Sequence, residues 1–96
     1  MKILIDEDLD IRLRHLFPDY ETYTVEYMGW KSLSNGAMLD KADGAGFALL
    51  ITGDGSMDDE QTPRGRPIQI LTIARNRLMD DAHVAEIRRD VDRMLR

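Results

Sequence analysis

The sequence predicts a small three-layer α/β domain: a four-stranded parallel sheet, order 2-1-3-4, flanked by helices. Three observations carry this. Short apolar runs alternate with stretches of helical spacing or helix-capping chemistry. Two of those runs, Lys2-Ile3-Leu4-Ile5 and Phe47-Ala48-Leu49-Leu50-Ile51-Thr52, are apolar almost throughout, as strands covered on both faces are. Right-handed crossovers then leave few topologies, of which the simplest puts the first strand in the centre with the third beside it.

Each element follows from its residues. Lys2–Ile5 is a buried strand that Asp6 ends. Leu9, Leu13, Leu16 and Phe17 recur at helical spacing and predict a first helix, stopped by Pro18. Residues 23–28 read as the second strand from their aromatic and β-branched content. Ser34 or Asn35 caps a second helix with Met38, Leu39 and Ala42 on its apolar face, ended by Gly44 and Gly46. Residues 47–52 form the third strand, 53–67 a loop rich in Gly, Asp and Pro, and 67–73 the fourth strand. Asp80 or Asp81 caps a last helix with Val84, Ile87, Val91, Met94 and Leu95 on one face. Arg88, Arg89, Arg93 and Arg96 lie towards its C-terminus, where the helix dipole favours cations.

With 96 residues the chain fits one domain, residues 1–96. It is 43% apolar and 32% charged, the balance of a globular protein and not of a disordered one. There is no cysteine, which excludes a disulfide scaffold, a thiol nucleophile and a thiolate zinc site. No apolar run approaches the ~20 residues of a membrane span, and the opening run is too short for a signal peptide. These features predict a soluble cytoplasmic protein with no membrane partner. Net charge is -5, unevenly spread: residues 1–60 carry five Lys and Arg against thirteen Asp and Glu, and residues 61–96 carry eight Arg against five acids. An acidic protein has no general attraction for nucleic acid, so any such contact has to be local, through arginines or a bound cation.

The carboxylates at the strand ends are the most informative feature. Asp6 follows the first strand directly and Asp54 follows the third after one glycine. On neighbouring strands about 5 Å apart, the two converge at the switch point of the sheet, where open α/β folds hold ligands. Uncompensated, they repel. A hard cation, Mg²⁺ or Mn²⁺, resolves that conflict with one or two carboxylates and several waters. Glu7 and Asp8 stand beside them as further ligands or as helix caps. The plainer reading is that strand-end aspartates are turn formers.

The opening Met1-Lys2-Ile3-Leu4-Ile5-Asp6-Glu7-Asp8-Leu9 resembles that of the PIN-like domain family DUF5615, related to toxin-type PIN ribonucleases and the Mut7-C domain. The Met28-Gly29-Trp30 turn, Asn35-Gly36 and Leu50-Ile51-Thr52-Gly53-Asp54 also match, as do Arg64-Gly65-Arg66-Pro67 and Asn76-Arg77. The resemblance spans nearly the whole chain through short motifs in agreeing order. It implies acidic residues at strand ends binding Mg²⁺ or Mn²⁺ for RNA cleavage, in a toxin held by an antitoxin protein. Asp6, Asp8 and Asp54 are then the catalytic set, with Asp6 and Asp54 the metal ligands. The chain departs from the family pattern in having Asp8 where Asn is usual, Ala37 where relatives often carry an acid, and Gly55-Ser56 after Asp54. Asp40, one turn after Ala37, is a candidate substitute; Asp58, Asp59 and Glu60 follow on the loop.

Arg64 and Arg66 are candidates for holding a phosphate backbone, or loop cations beside a turn glycine. Asn76 is a candidate for the same edge of the sheet, binding substrate or capping its loop. Trp30 either stacks a base or covers the core. Tyr20, Tyr23 and Tyr27 read as packing residues with wet hydroxyls. His15 and His83 show no ligand spacing and read as surface residues. Two functions remain open: a metal-dependent ribonuclease acting on RNA, and a catalytically degenerate module that binds an antitoxin or a second copy of itself, for which Ala37 is the argument. A receiver domain ranks below both, because no Lys follows Lys41.

Overall fold

The computed structural model describes residues 1–56, 68–74 and 80–96. Four parallel strands make one sheet: β1 (Lys2–Ile5), β2 (Glu21–Thr24), β3 (Phe47–Thr52) and β4 (Gln69–Thr72), in the order β2-β1-β3-β4. A 3₁₀ helix (Ile11–His15) joins β1 to β2, helix α1 (Asn35–Gly44) joins β2 to β3, and helix α2 (Asp81–Leu95) follows β4.

Side chains alternate across the strands, and two cores result. On one face, Ile3, Ile5, Leu49 and Ile51 pack against Leu13 and Phe17 of the 3₁₀ segment and Ile87, Val91 and Leu95 of α2. On the other, Leu4 and Leu50 pack against Met38, Leu39 and Ala42 of α1, with Val25 and Ile68. Leu49, Leu50 and Ile51 are fully buried. Each contributes about 1.5–3 kcal/mol of burial, which makes β3 the anchor of both layers.

The register between β1 and β3 is not uniform. Lys2 pairs with Phe47 but Ile3 pairs with Leu49, so Ala48 is an extra residue on β3. From Ile3 onward the pairing runs Leu4 with Leu50 and Ile5 with Ile51. Asp6 therefore stands beside Thr52; without the extra residue it would stand beside Ile51.

Ser34 caps α1 and Asp80 caps α2, their side chains accepting from the Ala37 and His83 N–H groups. Five expectations need correction. The first helix is a five-residue 3₁₀ turn, because Asp10 caps its start, accepting from Arg12 N–H, and Pro18 disfavours helical geometry at Phe17. Leu13 and Phe17 are buried all the same. β2 begins and ends earlier than residues 23–28: the Thr24 hydroxyl accepts from Tyr27 N–H and its carbonyl from Met28 N–H, which turns the chain out of the sheet. Gly29, at φ 76°, completes that turn. Tyr27 is consequently not a packing residue but 76% exposed. His83 is buried, since Ile87, Val91 and Leu95 follow it at four-residue steps on one helix face. β4 is shorter than 67–73 and half-exposed, as an edge strand.

Candidate functional site

The carboxyl ends of β1 and β3 bring Asp6, Asp8 and Asp54 to one edge of the sheet. Thr52 organises them. Its hydroxyl is fully buried and has two partners: it donates to Asp6 Oδ2 at 2.7 Å and accepts from Asp54 N–H at 3.0 Å. Asp6 N–H donates to the Ile51 carbonyl at 2.9 Å, which locks the chain after β1 to the end of β3. Asp6 Oδ1 accepts from Glu7 N–H at 2.8 Å. One loop over, Asp8 Oδ1 accepts from Gly53 N–H at 3.3 Å. The two strand ends are thus cross-braced by side chains of each segment.

Asp54 is held from two directions. Ser56 donates to its Oδ1 through N–H at 2.9 Å and through Oγ at 2.7 Å. The Asn35 side-chain amide donates to its Oδ2 at 3.2 Å, linking the first turn of α1 to the edge. Burial raises the Asp6 pKa above the usual carboxylate value. The Thr52 hydrogen bond works against this, the Asp8 charge adds to it, and Glu7 contributes in both directions through its N–H and its charge.

Sequence reasoning places Asp6, Asp8 and Asp54 at this edge, and the structure brings all three there. It does not single out Thr52 or Asn35. A hydroxyl closing an otherwise apolar buried strand is the one available signal, because a buried polar atom requires a partner. Asp40 lies on Ala37's side of α1: both line an open groove with Trp30, Lys41, Gly44 and Ala45. Trp30 is half-buried and packs edge-on against Phe47 at 5.9 Å, covering the core. Arg64, Arg66 and Asn76 lie outside the described residues, as do Asp58, Asp59 and Glu60.

Among the described residues, no three His, Asp or Glu side chains converge as a ready-made cation cage. The donor set is two or three carboxylates beside a hydroxyl. It suits the water-rich, all-oxygen coordination of Mg²⁺ or Mn²⁺ and no nitrogen- or sulfur-based site. What the fold and site define is a parallel α/β sheet with an acidic switch-point edge. No family model, curated protein or solved structure matches the chain. No helix among the described residues is long and apolar enough to cross a membrane.

Proposed function

We propose that this protein is a PIN-like, Mg²⁺- or Mn²⁺-dependent ribonuclease of the toxin type, with its site at the carboxyl edge of β1 and β3. One observation supports the reading above others: Asp6 is a half-buried carboxylate of raised proton affinity, tied through buried Thr52 to the backbone of Asp54. A carboxylate held in a poorly compensated position at a switch point favours a cation.

Asp6 and Asp54 would hold the metal, and Thr52, bonded to the Asp6 side chain and the Asp54 N–H, would keep the two in place. When bound, the cation neutralises charge developing on the phosphate and lowers the pKa of a water. Asp8 accepts the proton of the attacking water. The water oxygen bonds to phosphorus and the opposite P–O bond breaks in line, the departing oxygen keeping the bonding pair and taking a proton from solvent.

The test is thermal unfolding under Mn²⁺ and Mg²⁺ titration, on wild type and Asp6→Asn, followed by RNA cleavage. A cation at about 100 times its Kd adds roughly 2.7 kcal/mol to the native state. The reading expects that gain in wild type only, with cleavage lost in the variant. Cleavage that survives in Asp6→Asn overturns the mechanism.

A second reading has its own observation. Both Asp54 oxygens already accept from Ser56 and Asn35, and α1 offers Ala37 where an acid would complete the set. On this reading the edge is degenerate and the protein binds an antitoxin or a second copy of itself. A flat metal titration favours it.

A further inference from the structure

The free edge of β2 carries a pocket that the carboxylate edge does not use. It measures about 330 Å³ and is lined by Arg14, His15, Thr22, Tyr23, Thr24 and Tyr27. That volume is at the lower end of the range for small-ligand sites.

Three features of the pocket converge on one ligand chemistry. Glu21 and Val25 donate their N–H groups to β1, at Met1 and Ile5. By the two-residue period of a strand, Thr22 and Thr24 turn theirs to the open side. Arg14 is exposed and forms no ion pair among the described residues; its Nε donates to His15 Nε2 at 3.2 Å. Asp10 is engaged by Arg12, and Glu21 accepts from the Tyr23 hydroxyl at 3.2 Å. Finally, Tyr27 presents a largely exposed ring 5.8 Å from that of Tyr23.

A guanidinium and outward backbone N–H groups together suit a phosphate. An exposed tyrosine face suits a flat heterocycle. We infer that the β2-edge pocket binds a nucleoside monophosphate unit, its phosphate on Arg14 and the outward Thr22 and Thr24 N–H groups and its base on Tyr27. The inference does not depend on the carboxylate edge. The unit is a free nucleotide or the terminal residue of an RNA strand, since both present the same chemistry.

The test is calorimetric titration of the full chain with AMP, adenosine, inorganic phosphate and a short oligoadenylate whose terminal phosphate matches that of AMP. AMP should bind at least about fivefold more tightly than adenosine or inorganic phosphate. Arg14→Ala and Tyr27→Ala should each weaken AMP about fivefold or more; both side chains are exposed, so the variants should fold. Asp6→Asn should bind AMP as wild type does, which separates this site from the proposed ribonuclease site. An oligoadenylate that binds more tightly through the same two residues assigns the unit to an RNA strand; equal affinity assigns it to a free nucleotide. Failure of AMP to bind, binding indifferent to both substitutions, or inorganic phosphate binding as tightly as AMP overturns the inference.

Discussion

The carboxylate edge of β1 and β3 and the free edge of β2 lie on the same sheet and treat a threonine in opposite ways. Thr52 is central and buried, and its hydroxyl both donates and accepts. Thr22 is on the outermost strand, and its hydroxyl has no partner. The central edge is cross-braced through Asp6, Asp8, Asn35 and Ser56, so its side chains are positioned before anything binds. The outer edge leaves hydrogen-bonding capacity open. Preorganisation and receptivity are therefore separated by three positions of register, because only the central strands have neighbours on both sides.

The largest expected effect is on chemistry. Asp6→Asn should reduce RNA cleavage by about a hundredfold or more, read by a gel assay in Mn²⁺ buffer. Thr52→Val comes next. It strands Asp6 Oδ2 and Asp54 N–H, and should cost about 1–3 kcal/mol in urea unfolding. The same substitution at the outer edge, Thr22→Val, should be neutral or stabilising by up to about 1 kcal/mol, because no bond is lost. If the two valine variants lose equal stability, the contrast between the edges fails. Ser34→Ala, which removes the cap beside the Asn35–Asp54 contact, should cost about 0.5–2 kcal/mol.

The smallest effect is a pH dependence. The Asp6 pKa is raised in the folded state, so the native protein holds that proton more tightly than the unfolded chain does. The associated destabilisation is full above the folded pKa and disappears as pH falls below the ordinary carboxylate value, about 3.9. In metal-free buffer Asp6→Asn should therefore melt above wild type near pH 7, with the gap narrowing toward about pH 4. A gap that widens on acidification contradicts the sign of the shift.

Much of the fold was legible because the physics behind it is local. The continuous apolar run ending at Thr52 marks β3 to the residue, and Ser34 caps the helix that brings Asn35 to the edge. Crossover handedness left few strand orders, and the one expected among them, 2-1-3-4, is the one found. β2 was displaced because its end is decided by a hydroxyl-to-backbone bond at Thr24, which competes with the β propensity of residues 25–28. His83 was misplaced by reading its polarity ahead of its four-residue spacing to Ile87. At the candidate site, Asp6, Asp8 and Asp54 were visible as strand-end acids. The role of Thr52 was not, because it depends on the extra residue at Ala48, which alters the register without leaving a pattern in the apolar run.

The all-parallel sheet also bears on how the chain reaches this state. Among the described residues no strand pairs with a neighbour through a tight hairpin; the central contact between Asp6 and Thr52 spans 46 positions. At synthesis rates of about 5–20 residues per second, β1 waits roughly 2–9 seconds before its β3 partner has been made. For that interval Ile3, Leu4 and Ile5 lack the strand that buries them, so the same topology that assembles the acidic edge also sets a window of vulnerability to aggregation during biosynthesis.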